Sequence, residues 1–317
     1  MKIALIGYLA TYAHAPLLAR ALVGRGHEVS LIVAMPDVYG FHTEYPSIVL
    51  QGAGRTGIEA ARRAVGGADR LCLAAMPALT HVLPALYGDS PETTAFVRSK
   101  GGAILLTDSH LLRDPPEARR KIAEAGLRSL AMPDKMPYAP EGARPWWPPT
   151  ALSMSAAKAP MPPCIVCHSP GKRSREEQKG TAIIEEAIHS VRPTVAVSYL
   201  PLRGLSHADA LEARRSAHVF IDQVPEPMPV EDGRPPWRGG LGKSGLEALA
   251  AGCAVVSSGD ALPPPVIHAD RADLAETLAR LVLDPAAVAE AGAAGRQWVN
   301  DHAAPDVAAE AVEEVLA

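Results

Sequence analysis

The segment GGLGKSGLEALAAGCAVVSS, residues 239–258, decides how we interpret this chain. Three glycines precede a predicted helix over residues 244–251, and a predicted buried strand over residues 254–257 follows that helix. Glycine lets a backbone approach a ligand closely, and a helix N-terminus offers unpaired N–H groups and the positive end of a dipole. The segment therefore predicts an anion-binding turn within an α/β fold.

A second motif, HSPGKRSREEQKGT, lies upstream at residues 168–181. It follows a predicted strand and leads into a predicted helix. Lys172, Arg173 and Lys179 cluster there around two glycines, a composition that suits a diphosphate. An ordinary charged loop has the same composition, so the residues alone leave both interpretations open.

Glu247 is predicted in the first turn of the helix over residues 244–251. A carboxylate at that position suits hydrogen bonds to ribose hydroxyls. It equally suits a capping role near the positive end of the helix dipole.

Short apolar runs alternate with helical segments along the rest of the chain, which predicts parallel sheets covered by helices. The predicted strands are residues 2–7, 28–34, 70–75, 103–107, 164–168, 194–199, 218–222 and 254–257. The predicted helices are residues 14–26, 117–125, 180–190, 206–215 and 244–251, together with the Ala-rich tail from Asp273.

Residues 133–163 are dense in proline, which cannot continue a helix or a central strand. We interpret this stretch as the connection between an N-terminal domain, residues 1–150, and a C-terminal domain, residues 160–317. A Pro/Gly-rich loop over residues 224–240 follows a predicted strand, at the position where open α/β sheets bind ligands.

The composition indicates a globular protein: 317 residues, 48% hydrophobic, with a formal net charge of −4. No run approaches the roughly 18 apolar residues of a membrane helix, the N-terminus lacks a secretory pattern, and four cysteines do not make a disulfide scaffold. We therefore expect a cytoplasmic protein. The first 150 residues carry a small basic excess and the remainder an acidic one.

The two motifs together resemble those of the group 1 (retaining) glycosyltransferases, which have the GT-B fold. KRSREEQKGT resembles that family's motif of a basic residue followed by a Lys-Gly pair, which together hold the donor diphosphate. The resemblance therefore assigns Lys172 or Arg173 as the basic residue and Lys179 as the lysine of the pair. GLGKSGLEALAAGCAVVSS resembles its Gly-rich segment with a terminal acid. The residues that the resemblance assigns to the donor there are Gly242, Ser244, Gly245 and Glu247.

The resemblance implies two Rossmann-like domains that face each other across a cleft. It also implies transfer of a sugar from a nucleotide-diphosphate sugar, a donor substrate, with no further cofactor. Retention of configuration follows from the family, and the lack of an Asp-x-Asp motif fits transfer without a metal. The family's first acid is replaced here by Gly239, and the preceding loop offers Glu226, Glu231 and Asp232 as substitutes.

Three residues of the first half are candidates for acceptor positioning or catalysis. His14 lies at the junction between the first loop and the first helix, where it would position the acceptor or act as a base. Asp108 and His110, in LLTDSHLL, follow a predicted strand. A helix-start histidine and a loop-capping pair are the structural alternatives for these residues.

Two other functions compete with a glycosyltransferase of unidentified acceptor. The first is a phage-type DNA glycosyltransferase, for which a basic face would consist of Arg62, Arg63, Arg98, Arg113, Arg119, Arg120 and Arg128. The second is a non-catalytic nucleotide-sugar-binding protein, which the missing first acid suggests. Cys164 and Cys167 alternate onto opposite faces of a strand, which argues against joint zinc binding.

Overall fold

A computed structural model of the chain describes residues 1–9, 14–35, 45–107, 114–150, 163–170, 176–230 and 236–317. Its strands form two separate sheets, and every strand pair in both sheets is parallel. The α/β fold with two parallel sheets, expected from the alternating pattern, is therefore confirmed.

The first sheet has the order β3-β2-β1-β4-β5-β6-β7. Its strands are β1 (Lys2–Leu9), β2 (Glu28–Met35), β3 (Ser47–Val49), β4 (Arg70–Ala74), β5 (Gly102–Leu106), β6 (Arg128–Ala131) and β7 (Arg144–Pro145). Central strands such as β5 are buried along their whole length, because helices cover both faces of a parallel sheet. The order reverses between β1 and β4, so the carboxyl ends of these two strands flank a topological switch point.

The second sheet has the order β12-β11-β10-β8-β9. Its strands are β8 (Cys164–His168), β9 (Val197–Pro201), β10 (Val219–Ile221), β11 (Ala254–Ser257) and β12 (Ile267–His268). From β8 the chain first adds β9 on one side and then β10, β11 and β12 on the other. The switch point of this sheet therefore lies between β8 and β10, where Ile221 is paired in register with His168.

Helices connect these strands, and several begin at a polar capping side chain. The helices are α1 (His14–Gly24), α2 (Gly54–Gly67), α3 (Leu83–Tyr87), α4 (Pro91–Lys100), α5 (Pro115–Glu124), α6 (Glu176–Lys179), α7 (Thr181–Val191), α8 (His207–Ser216), α9 (Lys243–Ala250), α10 (Leu274–Leu283), α11 (Pro285–His302) and α12 (Pro305–Leu316). Ser90, Asp114, Ser206 and Asp284 each accept a hydrogen bond from a first-turn amide, the preferred N-cap geometry.

The chain divides into two compact units, one around each sheet. The first comprises Met1–Pro149, Val230–Arg234 and Pro305–Ala317, and the second comprises Thr150–Pro229 and Pro235–Ala304. The last helix, α12, thus belongs to the first unit, where its apolar face joins the core of the first sheet. Trp146 is buried in the same core, and its indole N–H donates to the Ala308 carbonyl at 3.2 Å.

The strands that the sequence analysis did not predict are β3, β6, β7 and β12, and three of these lie at sheet edges. The Pro-rich stretch, predicted as a connection, contains a 3₁₀ helix (Pro133–Tyr138) and the edge strand β7. Proline has no backbone N–H to donate to a neighbouring strand. It is tolerated in β7 because an edge strand has no neighbour on its outer side. The Ala-rich tail, predicted only as helical, consists of α10, α11 and α12.

Candidate functional site

His168 ends β8 at the switch point of the second sheet and is completely buried. Its Nδ1–H donates to the Ile221 carbonyl at 2.8 Å, since a carbonyl can only accept, and its Nε2 accepts from the Thr181 hydroxyl at 3.0 Å. Burial lowers the pKa of His168 to about 4, so the ring is neutral at physiological pH. His168 therefore ties the end of β8 to the neighbouring strand and to the start of α7.

Lys179 ends α6, just after β8, and points its ammonium toward β10. Its Nζ donates to Asp222 Oδ1 at 2.9 Å, and the Lys179 side chain is 20% exposed. The Lys179 backbone is held too, because its carbonyl accepts from the Val224 amide at 3.1 Å. Gly180 follows with φ +67°, and a Cβ there would lie 1.9 Å from the Val224 carbonyl oxygen. Only glycine allows this close approach, which sets the position of Lys179.

Asp222 follows β10 directly and is fully buried beneath the N-terminus of α9. While Oδ1 accepts from Lys179, Oδ2 accepts from the Gly242 amide at 2.5 Å. A Cβ on Gly242 would lie 3.1 Å from Oδ2, and one on Gly245 would lie 2.7 Å from it. The two glycines, which the family resemblance assigns to the donor, make room for the Asp222 carboxylate.

Gly239 and Gly240 are bound to the ends of the central strands. Their φ angles are +113° and +151°, and a Cβ on Gly239 would lie 2.5 Å from Ser258 Oγ. The Gly240 carbonyl accepts from Ser257 Oγ and from Gln223 Nε2, each at 2.7 Å. These contacts hold the Gly-rich turn against the carboxyl ends of β10 and β11.

Glu247 is the fifth residue of α9, so its predicted place in the first turn is wrong: the helix begins at Lys243 and no acid lies in its first turn. Its side chain is 8% exposed and lies against three basic side chains, with His207 Nε2 at 2.8 Å, Arg214 Nη1 at 3.1 Å and Lys243 Nζ at 3.5 Å. Burial alone raises the pKa of Glu247, but Lys243, His207 and Arg214 outweigh it and hold the pKa at about 2.

The structure brings together Lys179, Gly242 and Gly245 around Asp222, with Ser244 half-buried in the first turn of the same helix. Glu247 lies further along that helix and contacts α8 through His207 and Arg214. Lys172 and Arg173 fall outside the described residues, as do Asp108 and His110.

His14 is the first residue of α1, after β1, and is only 6% exposed. It therefore lies near the carboxyl end of β1, beside the switch point of the first sheet. Of the substitutes considered for the missing first acid, Glu226 is exposed and pairs with Arg271. Glu231 and Asp232 lie outside the described residues.

Sequence reasoning missed Asp222, the residue that connects the two motifs. It also missed Gln223 and Ser257, which hold Gly240, and His207 and Arg214, which contact Glu247. The available signal was a polar pair, Asp222 and Gln223, directly after the apolar run VFI, because residues at that point lie at the carboxyl edge of the sheet.

Four of the seven arginines considered for a DNA-binding face make contacts within the protein. Arg62 Nε donates to the Leu86 carbonyl at 2.6 Å, and Arg119 Nη1 donates to the Tyr138 carbonyl at 3.4 Å. Arg120 pairs with Glu117 and Glu124, and Arg98 donates to the Glu124 carbonyl. Arg113 lies outside the described residues.

No cluster of His, Cys, Asp and Glu side chains able to hold a metal ion occurs among the residues with described positions. Neither Cys164 nor Cys167 forms a disulfide bond. In the described part of the chain, no helix combines the length and the apolar character needed to cross a bilayer.

No model of a known protein family matches the sequence, and no curated protein matches it. Solved structures do share its fold over the whole chain. The chain is similar to the glycosyltransferase SnogD from Streptomyces nogalater, with a TM-score of 0.50, 13% identity and 100% of both chains covered. It is similar to Anabaena Alr3699/HepE in complex with UDP, with a TM-score of 0.54, 11% identity and 100% of this chain and 99% of that one covered.

A third similar structure is a putative UDP-N-acetylglucosamine 2-epimerase from Listeria monocytogenes, with a TM-score of 0.53 and 11% identity. It covers 100% of this chain and 95% of the epimerase chain. At such low identity the likeness concerns the fold, which is that of the GT-B glycosyltransferases.

Proposed function

We propose that this chain is a glycosyltransferase that moves a sugar from a nucleotide-diphosphate sugar to an acceptor. The observation that carries the proposal is the ammonium of Lys179, held at the N-terminus of the Gly-rich helix α9. This pair of positive groups lies beside the β8–β10 switch point, where open α/β sheets bind their ligands. The GT-B fold agrees with the same chemistry.

The proposed donor site binds the diphosphate between Lys179 and the first turn of α9. The amides of that turn have no partner within the helix, and they carry the positive end of its dipole. Ser244 adds a hydroxyl on the same turn, while Gly242 and Gly245 keep the approach open. Lys172 and Arg173 are proposed to bind the same phosphates.

Charge stabilisation of the departing nucleoside diphosphate is the proposed source of catalysis. When the sugar's anomeric bond to the phosphate breaks, negative charge develops on the phosphate oxygen. A fixed ammonium and helix amides stabilise that charge without reorganisation. We propose transfer without a metal ion and with retention of configuration, as the group 1 resemblance implies.

Glu247 is proposed to accept a hydrogen bond from the donor's ribose. An ionised carboxylate has about four acceptor positions. His207 Nε2, Arg214 Nη1 and Lys243 Nζ lie at 2.8, 3.1 and 3.5 Å from its two oxygens. We propose that a ribose hydroxyl uses a further acceptor position, on a carboxylate that these three side chains orient.

The proposed acceptor site lies in the first unit. His14, beside the switch point of the first sheet, is proposed to orient the acceptor or to accept its proton. Asp108 and His110 follow β5 in the sequence and are proposed for the same region. The chemical identity of the acceptor is left to experiment.

The first test is binding of UDP, dTDP, GDP and ADP by calorimetry. We expect the wild-type chain to bind at least one of these nucleotides. Lys179→Met should raise the Kd of that nucleotide by about tenfold or more. A charge-assisted hydrogen bond to phosphate contributes roughly 1.5–3 kcal/mol, which sets this scale. Lys121→Met, on the exposed surface of α5, is the matched control and should bind like wild type. Equal affinities in both variants would reject Lys179 as a phosphate ligand.

Turnover separates the glycosyltransferase from the competing functions. With the matching nucleotide sugar we expect release of nucleoside diphosphate that an acceptor accelerates. Binding with no release under any condition would indicate a non-catalytic binding protein. Conversion of the sugar without transfer would indicate an epimerase, and a DNA acceptor would show a steep loss of binding with added salt.

A further inference from the structure

Asp222 places a fixed negative charge inside the proposed phosphate site. Its carboxylate is fully buried, and both oxygens are engaged, one by Lys179 at 2.9 Å and the other by the Gly242 amide at 2.5 Å. These are a cation and a helix-terminal amide, the two kinds of group that a ligand phosphate would use. The protein therefore supplies its own anion at the point where the ligand's anion is expected.

The surrounding residues are built to hold this carboxylate. Side chains are absent at Gly242 and Gly245, where a Cβ would lie 3.1 Å and 2.7 Å from Asp222 Oδ2. The same Gly242 Cβ would lie 3.2 Å from Lys179 Nζ. The carboxylate, the ammonium and the helix terminus thus form one closely packed unit in which Asp222 neutralises Lys179.

We propose that Asp222 is a built-in counter-anion that sets how strongly this site holds a phosphate, and that it favours release of the nucleoside diphosphate over retention of it. The inference rests on the proposed function, because it concerns the ligand of the same site. Asp222 does not contact the reacting atoms. It acts on them through the charge it places beside Lys179 and the α9 terminus.

The physical reason is the difference in charge between donor and product. Each phosphate of a nucleotide sugar is a diester-like group with one negative charge. The terminal phosphate of the free nucleoside diphosphate carries close to two charges at about pH 8, since its second pKa is near 6. A fixed negative charge repels the product more than the donor. Lys179 is already paired with Asp222, so its ammonium keeps a partner when the product leaves.

Two other roles for Asp222 make different predictions. If the carboxylate serves only to orient Lys179, its neutralisation should weaken phosphate binding, because a free lysine loses order when it binds. If it serves only to anchor α9, its neutralisation should change stability and leave ligand affinities unaltered. Of the three roles, only that of a counter-anion predicts tighter phosphate binding when the charge of Asp222 is removed.

The experiment compares Asp222→Asn with wild type at about pH 8, using the nucleoside diphosphate among UDP, dTDP, GDP and ADP that wild type binds. We expect the variant to lower the Kd of that ligand at least threefold and to slow its dissociation. The gain should be smaller for the matching nucleotide sugar and absent for the matching nucleoside. Glu290→Gln, which removes one negative charge from the exposed surface of α11, should leave all three affinities at their wild-type values.

A second pair of variants covers the case in which Asp222→Asn does not fold. Lys179→Met leaves Asp222 without its cation, so the double variant Lys179→Met/Asp222→Asn should bind the nucleoside diphosphate more tightly than Lys179→Met alone. An unchanged or weaker affinity in either comparison overturns the inference, as does an equal gain for the uncharged nucleoside. If wild type binds none of the four nucleotides, the proposed function fails and the inference fails with it. If wild type binds a nucleoside diphosphate but neither variant with Asp222→Asn binds it more tightly than its parent, only the inference fails.

Discussion

Glu247 connects two helices through a buried carboxylate that contacts three basic side chains. Arg214, from α8, is itself only 3% exposed, so each charge depends on the other for compensation in a poorly solvated environment. The sequence analysis considered ribose binding and helix capping for Glu247. It could not identify the ion pair, because Arg214 and Glu247 are 33 residues apart and only the packing of α8 on α9 brings them together.

We predict that Glu247→Gln destabilises the second unit by about 3 kcal/mol at pH 7, far more than the roughly 0.3–1 kcal/mol of a dipole interaction. The variant leaves Arg214 buried without its carboxylate. The pKa of Glu247 is lowered from 4.5 to about 2, so this stability is present above pH 4.5 and is lost as the pH falls toward 2. The stability difference from wild type in urea unfolding should therefore shrink by about 1.4 kcal/mol between pH 7 and about pH 3.5.

The exposed variant Glu290→Gln is the control and should change stability by no more than about 0.5 kcal/mol. A stability loss in Glu247→Gln that does not depend on pH would show that charge is not its cause.

Ribose binding is tested with the same variant, Glu247→Gln. It should weaken the binding of a nucleotide that has both ribose hydroxyls more than the binding of its 2′,3′-dideoxy analogue. Equal losses for the two ligands would leave Glu247 with a purely structural role.

The short helix α6 and the turn after it show how an element positions one functional side chain. The four-residue helix ends at Lys179, and Gly180 then reverses the backbone against the Val224 carbonyl before α7 begins. His168 Nε2 accepts a hydrogen bond from the hydroxyl of Thr181, the first residue of α7. The position of Lys179 is thus held by its own backbone contact with Val224 and by the side-chain contact of His168 with Thr181, independently of its ammonium.

We predict that Gly180→Ala is much more destabilising than Gly204→Ala. Both glycines have φ +67°, so each substitution forces alanine into the left-handed region, at about 1–2 kcal/mol. At Gly204 the new Cβ meets nothing within 4 Å, whereas at Gly180 it lies 1.9 Å from the Val224 carbonyl oxygen. Chemical denaturation of the two variants isolates this contact, and Gly180→Ala should also weaken nucleoside diphosphate binding because Lys179 is displaced. Equal destabilisation would mean that the Val224 contact relaxes without cost.

Most central strands could be predicted from sequence because they are apolar on both faces, as in β5 and β11, although β6 was missed. Of the edge strands only β9 was predicted, since β3 has three residues, β12 has two and β7 contains a proline. The residues of the candidate site also differ in whether the sequence could predict them. Lys179 and the glycines lie in recognisable motifs, whereas Asp222 acquires its role only from the parallel pairing of β10 with β8.

At the scale of the whole molecule, the chain leaves the first unit after Pro149 and, apart from Val230–Arg234, returns to it only at Pro305. The returning helix α12 contributes Ala308, Val312 and Leu316 to the core of the first sheet. Ion pairs support this packing, with Arg25 Nη2 at 2.7 Å from Glu313 Oε2. The sequence analysis predicted the tail as helical, but a helical pattern alone does not state which of two sheets a helix covers.

We predict that Leu316→Ala destabilises the first unit by about 2–5 kcal/mol, the range for a buried leucine. Leu316 is fully buried, and its carbonyl accepts from Arg70 Nε at 2.9 Å. Leu283→Ala, at the end of α10 with 72% of the leucine exposed, should stay within about 0.5 kcal/mol of wild type. Hydrogen exchange localises the effect, with faster exchange expected in β1 and β5. Loss of protection confined to the second sheet would contradict the placement of α12.

The return of α12 also determines the order in which the protein can be completed on the ribosome. All strands of the first sheet are synthesised before residue 150. The helix that covers part of their apolar face, α12, is synthesised only after a further 155 residues. At a translation rate of roughly 5–20 residues per second, that interval is roughly 8–30 s. During this time the nascent first unit exposes an apolar surface to chaperones and to neighbouring chains, while the second unit can fold as soon as its own residues have emerged. The half of the protein that is made first is therefore the half that finishes folding last.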